Sequence, residues 1–243
     1  MNTSVLGQVE QHHNHLLAAL PDGLWNRWKS KIEPVELARG QELGVTQVVP
    51  AWVYFPTTAI VSLLCLTRDG ESAEIAVVGN DGVVGLPMLM GDDSWTRQAV
   101  VQSAGEALRL PMRVIKSELD HGGPVLDLLM RYAQGLIAQM AQTALCNRLH
   151  TIGQQLSRRL LLGLDRVPSD ELEMTQELAA NLLGVRREGV TSAALKLQHE
   201  GVIRYRRGHI VVLDRQRLEQ CSCECYAVAK REYRRLQPMP MAA

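Results

Sequence analysis

Three groups of residues in this 243-residue chain have types and spacings suited to chemistry. The first is Arg186-Arg187-Glu188, followed by Thr191 and Ser192. At the start of a helix these side chains share one end. There a guanidinium can take the acceptor edge of guanine and a carboxylate can accept from the cytosine amino group. The second group is Arg204, Arg206 and Arg207, beside a glycine, where cations on a turn can reach phosphates. The third is Cys221-Ser222-Cys223-Glu224-Cys225, three thiols alternating over five residues. Such thiols can coordinate zinc or react with an oxidant. The other reading is reduced cysteines on a tail element, with Cys65 and Cys146 packing the core. The spacing offers no evident fourth ligand beyond the candidates Glu224 and His209, so no metal and no cofactor is predicted. Glu188 apart, the acidic residues form no paired-carboxylate site. G-x-S-x-G, H-E-x-x-H and the phosphate-loop lysine motif are all missing from the sequence, which predicts a protein that is not an enzyme.

The first two groups need a scaffold, and the flanking residues describe one. Thr175 is a good N-cap, and Gln176-Glu177 put a carboxylate in the first turn of a short helix reaching Leu183. Gly184-Val185 make a tight turn, and a second helix starts at Arg186. Ala180 is small where two helices must cross closely, and Leu183, Val185, Val190 and Ala193 join the pair. Gly201 stops the second helix. Arg204–Arg207, Gly208 and His209–Leu213 then read as a β-hairpin, the wing of a winged helix. The pattern predicts a DNA-binding helix-turn-helix in which Thr175, Gln176, Arg186, Arg187, Glu188, Thr191, Ser192, Arg204, Arg206 and Arg207 meet double-stranded DNA.

Upstream, the texture is β. Ala51–Phe55, Ile60–Thr67, Ser72–Val78, Gln98–Ser103 and Glu106–Leu110 are short apolar-rich runs. Asp69-Gly70 between the second and third is a hairpin signal. Many short strands favour a sandwich or small barrel. From Pro124, well placed to open a helix, Leu126, Leu129, Ala133, Leu136, Met140, Thr143 and Asn147 follow at spacings of 3 and 4. This predicts a helix to about Leu149 with a coiled-coil seam, and Leu129, Ala133, Leu136 and Met140 are the candidate dimer contacts. A second helix, Ile152–Leu164, follows a break at His150-Thr151 and ends before the turn Val167–Asp170. The fold class is therefore α+β: an N-terminal β jelly-roll barrel over 1–123, a dimerisation helix over 124–150, and a C-terminal winged helix-turn-helix with tail over 151–243.

Composition agrees with that partition. The chain is 46% hydrophobic with 26 basic and 26 acidic residues, a globular balance. Residues 1–165 carry 13 basic and 16 acidic side chains, whereas residues 166–243 carry 13 basic and 10 acidic. The excess of positive charge lies where an anionic partner is expected. No signal peptide and no run of about 18 apolar residues is visible. Five cysteines without a disulfide spacing framework point to a reduced, cytoplasmic chain without a membrane partner.

Thr175-Gln176-Glu177-Leu178-Ala179, then Arg187-Glu188-x-Val190, then Leu197-x-x-Glu200-Gly201-Val202-Ile203 resemble the winged-helix half of the Crp/Fnr regulators. Tyr54-Phe55-Pro56, Ile60-Val61-Ser62 and Gly79-Asn80-Asp81-Gly82-Val83-Val84-Gly85 resemble their barrel half, so the likeness runs from about Leu16 to Leu213. It implies a homodimeric transcription regulator with a cyclic-nucleotide-binding-type sensor barrel. It also implies that Arg187 and Glu188 read bases while Arg186 approaches the DNA, with RNA polymerase as a further partner.

The sensor departs from that pattern. Members that bind cyclic AMP use a Gly-Glu-x-x-Gly loop and a downstream Arg-Ser/Thr-Ala to hold ribose and phosphate. Here the loop reads Gly82-Val83-Val84-Gly85, and the second motif reads Arg97-Gln98-Ala99. The helix positions that should meet the base are Met140-Ala141. Gly82, Val83, Gly85, Arg97 and Gln98 are the candidate effector pocket, and the chain is expected not to respond to cyclic AMP. Its effector is unknown. The iron–sulfur branch carries cysteines ahead of the barrel, but none precedes Cys65 here. The competing function is a cyclic-nucleotide-binding signalling module that acts through protein partners.

Overall fold

A computed structural model describes residues 11–43, 51–69, 72–90, 98–167 and 169–236. Two short helices, α1 (His15–Ala18) and α2 (Asp22–Trp28), lead into β1 (Glu33–Leu37), β2 (Trp52–Pro56), β3 (Ile60–Leu66) and β4 (Ser72–Val78). A single turn, α3 (Leu86–Leu89), precedes β5 (Gln98–Ser103), β6 (Gly105–Pro111) and α4 (Met112–Leu119). The strands form two three-stranded antiparallel sheets, ordered β1-β6-β2 and β4-β3-β5. Their inward residues, including Val53, Phe55, Val61, Val78, Ala99, Val101, Leu108 and Leu110, fill one core with Leu16, Leu17 and Trp28 from the opening helices. Asn14 fastens that opening: its side chain caps α1 and donates to the carbonyls of Pro56 and Gly82, both at 2.9 Å. Gly70, in the expected β3–β4 hairpin turn, lies outside the described residues.

The long helix α5 spans Pro124–Leu149, with Pro124 in its first turn, and closes the sandwich core with Val125, Leu128, Leu129, Tyr132, Ala133 and Leu136. The candidate dimer contacts sit mostly on the inner face of this helix. Leu129, Ala133 and Leu136 are buried within the single chain, and Met140 packs partly on the same core. Leu129, Ala133 and Leu136 are covered by the N-terminal sheets, whereas Met140 keeps part of its surface. The large apolar residues that α5 leaves outside are Leu126, Met130, Ile137 and Leu145, displaced around the helix by about one position, and Leu149 at its end. Ile137 is 64% exposed where its neighbour Leu136 is 9% exposed.

His150 ends α5 in extended backbone, and Thr151 opens α6 (Ile152–Leu164) with a reciprocal capping box to Gln154. The remaining elements are β7 (Glu171–Glu173), α7 (Gln176–Leu183), α8 (Arg187–His199), β8 (Ile203–Arg206), β9 (His209–Val212), α9 (Arg215–Cys221) and α10 (Glu224–Leu236). Their apolar faces make a second core on α6, with Leu156, Leu160 and Leu161 at its centre. Ile60 of β3 and Val77 of β4 belong to that core, so the C-terminal unit docks on the outer face of the β4-β3-β5 sheet.

Arginines of α6 and its C-terminal end stitch this docking. Arg159 Nε lies 2.5 Å from Glu74 Oε1, both side chains under a tenth exposed, and Ser62 donates to the same carboxylate at 2.6 Å. Arg166 meets Asp81 at 2.8 Å and fills the space beside Gly79, where a Cβ would lie 2.8 Å from its side chain. Buried ions require such partners, because an unpaired charge away from water costs several kcal/mol, on the order of 3–5 when one partner is removed.

Candidate nucleic-acid interface

Thr175 caps α7 by accepting from the amide of Leu178 at 3.1 Å. The helix stops at Gly184, whose φ of 64° is a left-handed conformation that glycine adopts without steric cost. Val185 N–H then donates to Ala180 C=O at 3.0 Å, tightening the turn. Ala180, Leu183, Val190 and Ala194 are buried between the two helices. This lock leaves the start of α8 facing solvent: Arg186 is its N-cap residue, and Arg187, Glu188 and Ser192 are exposed. Thr191 differs from the rest. Its hydroxyl donates to Gln176 Oε1 at 2.9 Å, so these two residues, both read as DNA contacts, hold α7 against α8.

The hairpin β8–β9 turns through Arg207 (φ 51°) and Gly208 (φ 83°). Two successive positive φ values are the requirement of a type I′ turn, which matches the twist of the flanking strands. A third strand missed in the sequence, β7, pairs antiparallel with β9 and stiffens the wing. The turn carries Arg207 to a groove of about 500 Å³ lined by Thr175, Gln176, Arg187, Leu195, Tyr205 and Gly208 among others. Arg187 from the helix and Arg207 from the wing therefore face one cleft. None of Arg186, Arg187, Arg204, Arg206 and Arg207 forms an ion pair among the described residues, and all five are exposed or half-exposed. Tyr205 anchors the floor: its hydroxyl donates to Met174 C=O at 2.9 Å, and burial raises its phenol above the ordinary value against the opposing pull of Arg187.

Residues 145–221 match the family model of the Crp-like helix-turn-helix domain. The C-terminal part of the chain is similar to a Crp-like helix-turn-helix domain. Most of the chain shares its fold with solved structures, among them transcriptional regulators of the Crp/Fnr family. FixK2 from Bradyrhizobium japonicum superposes with a TM-score of 0.66 at 19% identity, covering 79% of this chain and 98% of its own. TTHA1359, a Crp/Fnr-family regulator from Thermus thermophilus, gives 0.61 at 21% identity, with 78% and 98% covered. A protein from Eubacterium rectale assigned to the same family gives 0.67 at 16% identity, with 86% and 98% covered. A comparison with curated proteins finds no match. No helix among the described residues is long and apolar enough to cross a membrane.

The loop 79–85, read as a candidate effector pocket, is turned inward. Gly82 N–H donates to Gly79 C=O at 3.1 Å, and Val84 N–H donates to Tyr54 C=O at 2.8 Å. Tyr132 of α5 sits over the loop and donates to Val83 C=O at 3.2 Å, and a Cβ on Gly82 would overlap its ring. Val83 and Val84 are buried in the sandwich core, and Gly85 (φ 113°) starts α3. Gln98 opens β5 and donates to Glu42 at 2.6 Å. Arg97, the other candidate, lies outside the described residues.

The thiols also redistribute. Cys65 is exposed rather than core, because it ends β3 beyond the packed part of the sheet. Cys221 closes α9, half-buried near Lys196 and Glu200. Cys223 and Cys225 are buried against Cys146 in a small cluster separate from both main cores. His209 pairs with Glu171 on the wing at 2.8 Å. Leu195, Gln198 and Tyr205 line the groove without having been singled out in the sequence. The exposed apolar Leu195, one turn after Thr191 on α8, was the available signal.

Proposed function

We propose that the chain is a homodimeric, sequence-specific regulator of transcription that binds double-stranded DNA and works with RNA polymerase in the cytoplasm. The observation that carries this reading is the single groove shared by Arg187 at the start of α8 and Arg207 on the wing. A helix N-terminus and a wing on one face suit the major groove and the adjoining backbone together. The five arginines supply the phosphate and base contacts, and Glu188 adds a carboxylate for a cytosine edge. The N-terminal sandwich acts as the sensor in this reading, with an effector other than a cyclic nucleotide.

The dimer is assigned to the stripe Leu126, Met130, Ile137 and Leu145 on α5. Two copies packed along it would present two winged helices to half-sites about one helical turn apart. Selection of bound sequences from a random duplex library tests the function. Enrichment of a two-fold-related motif, with affinity falling steeply as salt rises, is the expected result. Recovery of no motif, with binding insensitive to salt, would favour the protein-partner signalling module instead.

A further inference from the structure

We propose that Cys146, His150, Cys223 and Cys225 form a closed Cys3His site for a single tetrahedral metal ion of the zinc class. The four residues come from two places: Cys146 and His150 from the end of α5, and Cys223-x-Cys225 from the start of α10. Cys146 and His150 are four apart, which puts them on one face of the helix end. Their partners begin 77 residues after Cys146, at Cys223. All four potential ligand atoms fall within 4.8 Å of one another.

The separations match one ion. Metal–sulfur bonds of about 2.3 Å in a regular tetrahedron space the sulfurs by about 3.8 Å, and sulfur and nitrogen somewhat less. The structure places Cys146 Sγ 3.5 Å from Cys223 Sγ, and Cys225 Sγ 3.5 Å from His150 Nδ1. Three sulfurs gathered this closely around one point leave no room for a polynuclear cluster between them. Thiolate with imidazole is the donor set that selects zinc over magnesium or calcium.

The surroundings complete the site. With Nδ1 turned inward, His150 presents Nε2 to Glu224, 3.3 Å from the carboxylate, the carboxylate–histidine–metal arrangement that fixes the ring and its tautomer. Gln142 donates to Cys225 Sγ at 3.0 Å, a contact that supports a thiolate. Gln155 holds the other end of the turn by donating to His150 C=O at 2.8 Å. The three cysteines are at most 5% exposed and the His150 side chain 13%, and four protein ligands fill a tetrahedral shell, as in a structural rather than a catalytic centre. Three thiolates and a neutral imidazole give the zinc site one net negative charge, and loading it releases the thiol protons. The site would clamp α10 onto the α5–α6 junction, where the long helix meets the Crp-like unit.

Elemental analysis of the full-length protein, purified under reducing conditions without chelator, should find one zinc per chain. Replacement with Co2+ should give thiolate-to-cobalt charge transfer and the strong visible bands of a tetrahedral centre. Cys146→Ser, Cys223→Ser and Cys225→Ser should each weaken Co2+ binding by at least tenfold, whereas Cys65→Ser and Cys221→Ser should leave it unchanged. Glu224→Gln should lower affinity about 10- to 100-fold with the ligand count intact. Should the serine variants fail to fold, His150→Cys keeps the proposal testable, because a fourth thiolate should retain the ion and intensify the charge-transfer band. A protein that carries no metal and gives no cobalt spectrum overturns the proposal. So does a Cys146–Cys223 disulfide in the freshly isolated chain, or equal loss of binding in Cys221→Ser.

Discussion

Asp81 of the loop after β4 and Arg166 at the end of α6 meet at 2.8 Å across the junction of the two units, with Arg166 almost fully buried. The same loop carries Gly82 and Val83, which Tyr132 holds against the long helix. A displacement of this loop therefore acts on both α5 and α6 without an intermediate. In the proposed reading, coupling of the N-terminal sandwich to the helix-turn-helix unit needs a physical link of this kind.

Asp81→Ala removes the carboxylate that meets buried Arg166, so it should destabilise the protein by about 3–5 kcal/mol. Arg166→Met on its own should also destabilise. The double variant should be less damaged than the sum of the singles, because the interaction between the two side chains is then lost only once. Urea denaturation of all three checks this, and strict additivity would show that the pair does not couple the units.

The two faces of α5 should respond oppositely to the same change. Ile137→Asp puts a charge on an exposed apolar stripe and should yield a folded monomer. Leu136→Asp buries that charge in the sandwich core and should unfold the sensor. Sedimentation with circular dichroism separates the outcomes; a dimeric Ile137→Asp would move the interface elsewhere.

The contrast between those neighbours shows where the sequence stops being legible. Pro124, the 3- and 4-residue spacing and the break at His150-Thr151 marked α5 and α6 to their observed ends, because those signals are local. Choosing between the stripe of Leu129 and Leu136 and that of Met130 and Ile137 depends on which one the sheets cover, a contact between distant segments. The helix-turn-helix was readable because Thr175, Gly184 and Gly201 act within a few residues of themselves. The four-ligand cluster was not, since His150 and Cys223 meet only after α6 to α9 have folded back. Cys223-x-Cys225 was legible as a thiol pair that can coordinate zinc, and Cys146-x-x-x-His150 at helical spacing was the local hint to its partners.

Arg187→Ala should relax base preference and cost about 1–3 kcal/mol at the cognate site. Arg206→Ala, on the wing, should weaken cognate and random duplexes alike and lower the salt slope by about 1. Anisotropy titrations over a range of salt distinguish them. Equal loss on both duplexes for Arg187→Ala would remove it from base reading.

Neither cyclic AMP nor cyclic GMP should bind at low micromolar concentration or alter DNA affinity. A cyclic nucleotide needs a carboxylate for its ribose hydroxyl and free backbone amides for its phosphate. Val83 supplies no carboxylate and is itself buried in the core. The amides of Gly82 and Val84 already donate to Gly79 and Tyr54 carbonyls. Tyr132 covers the remaining space, close enough that even a methyl group on Gly82 would overlap it. Opening the loop for a nucleotide would therefore break the Tyr132 and Asn14 hydrogen bonds and expose two valines. Each buried hydrogen bond left unmade costs about 1–3 kcal/mol, and each valine brought into water about 1.5–3 more. Together these costs consume most of the roughly 8 kcal/mol that a micromolar ligand supplies. Calorimetric titration of the purified protein is the measurement. A stoichiometric isotherm of micromolar affinity for either nucleotide would mean that the loop opens at far lower cost than its contacts imply.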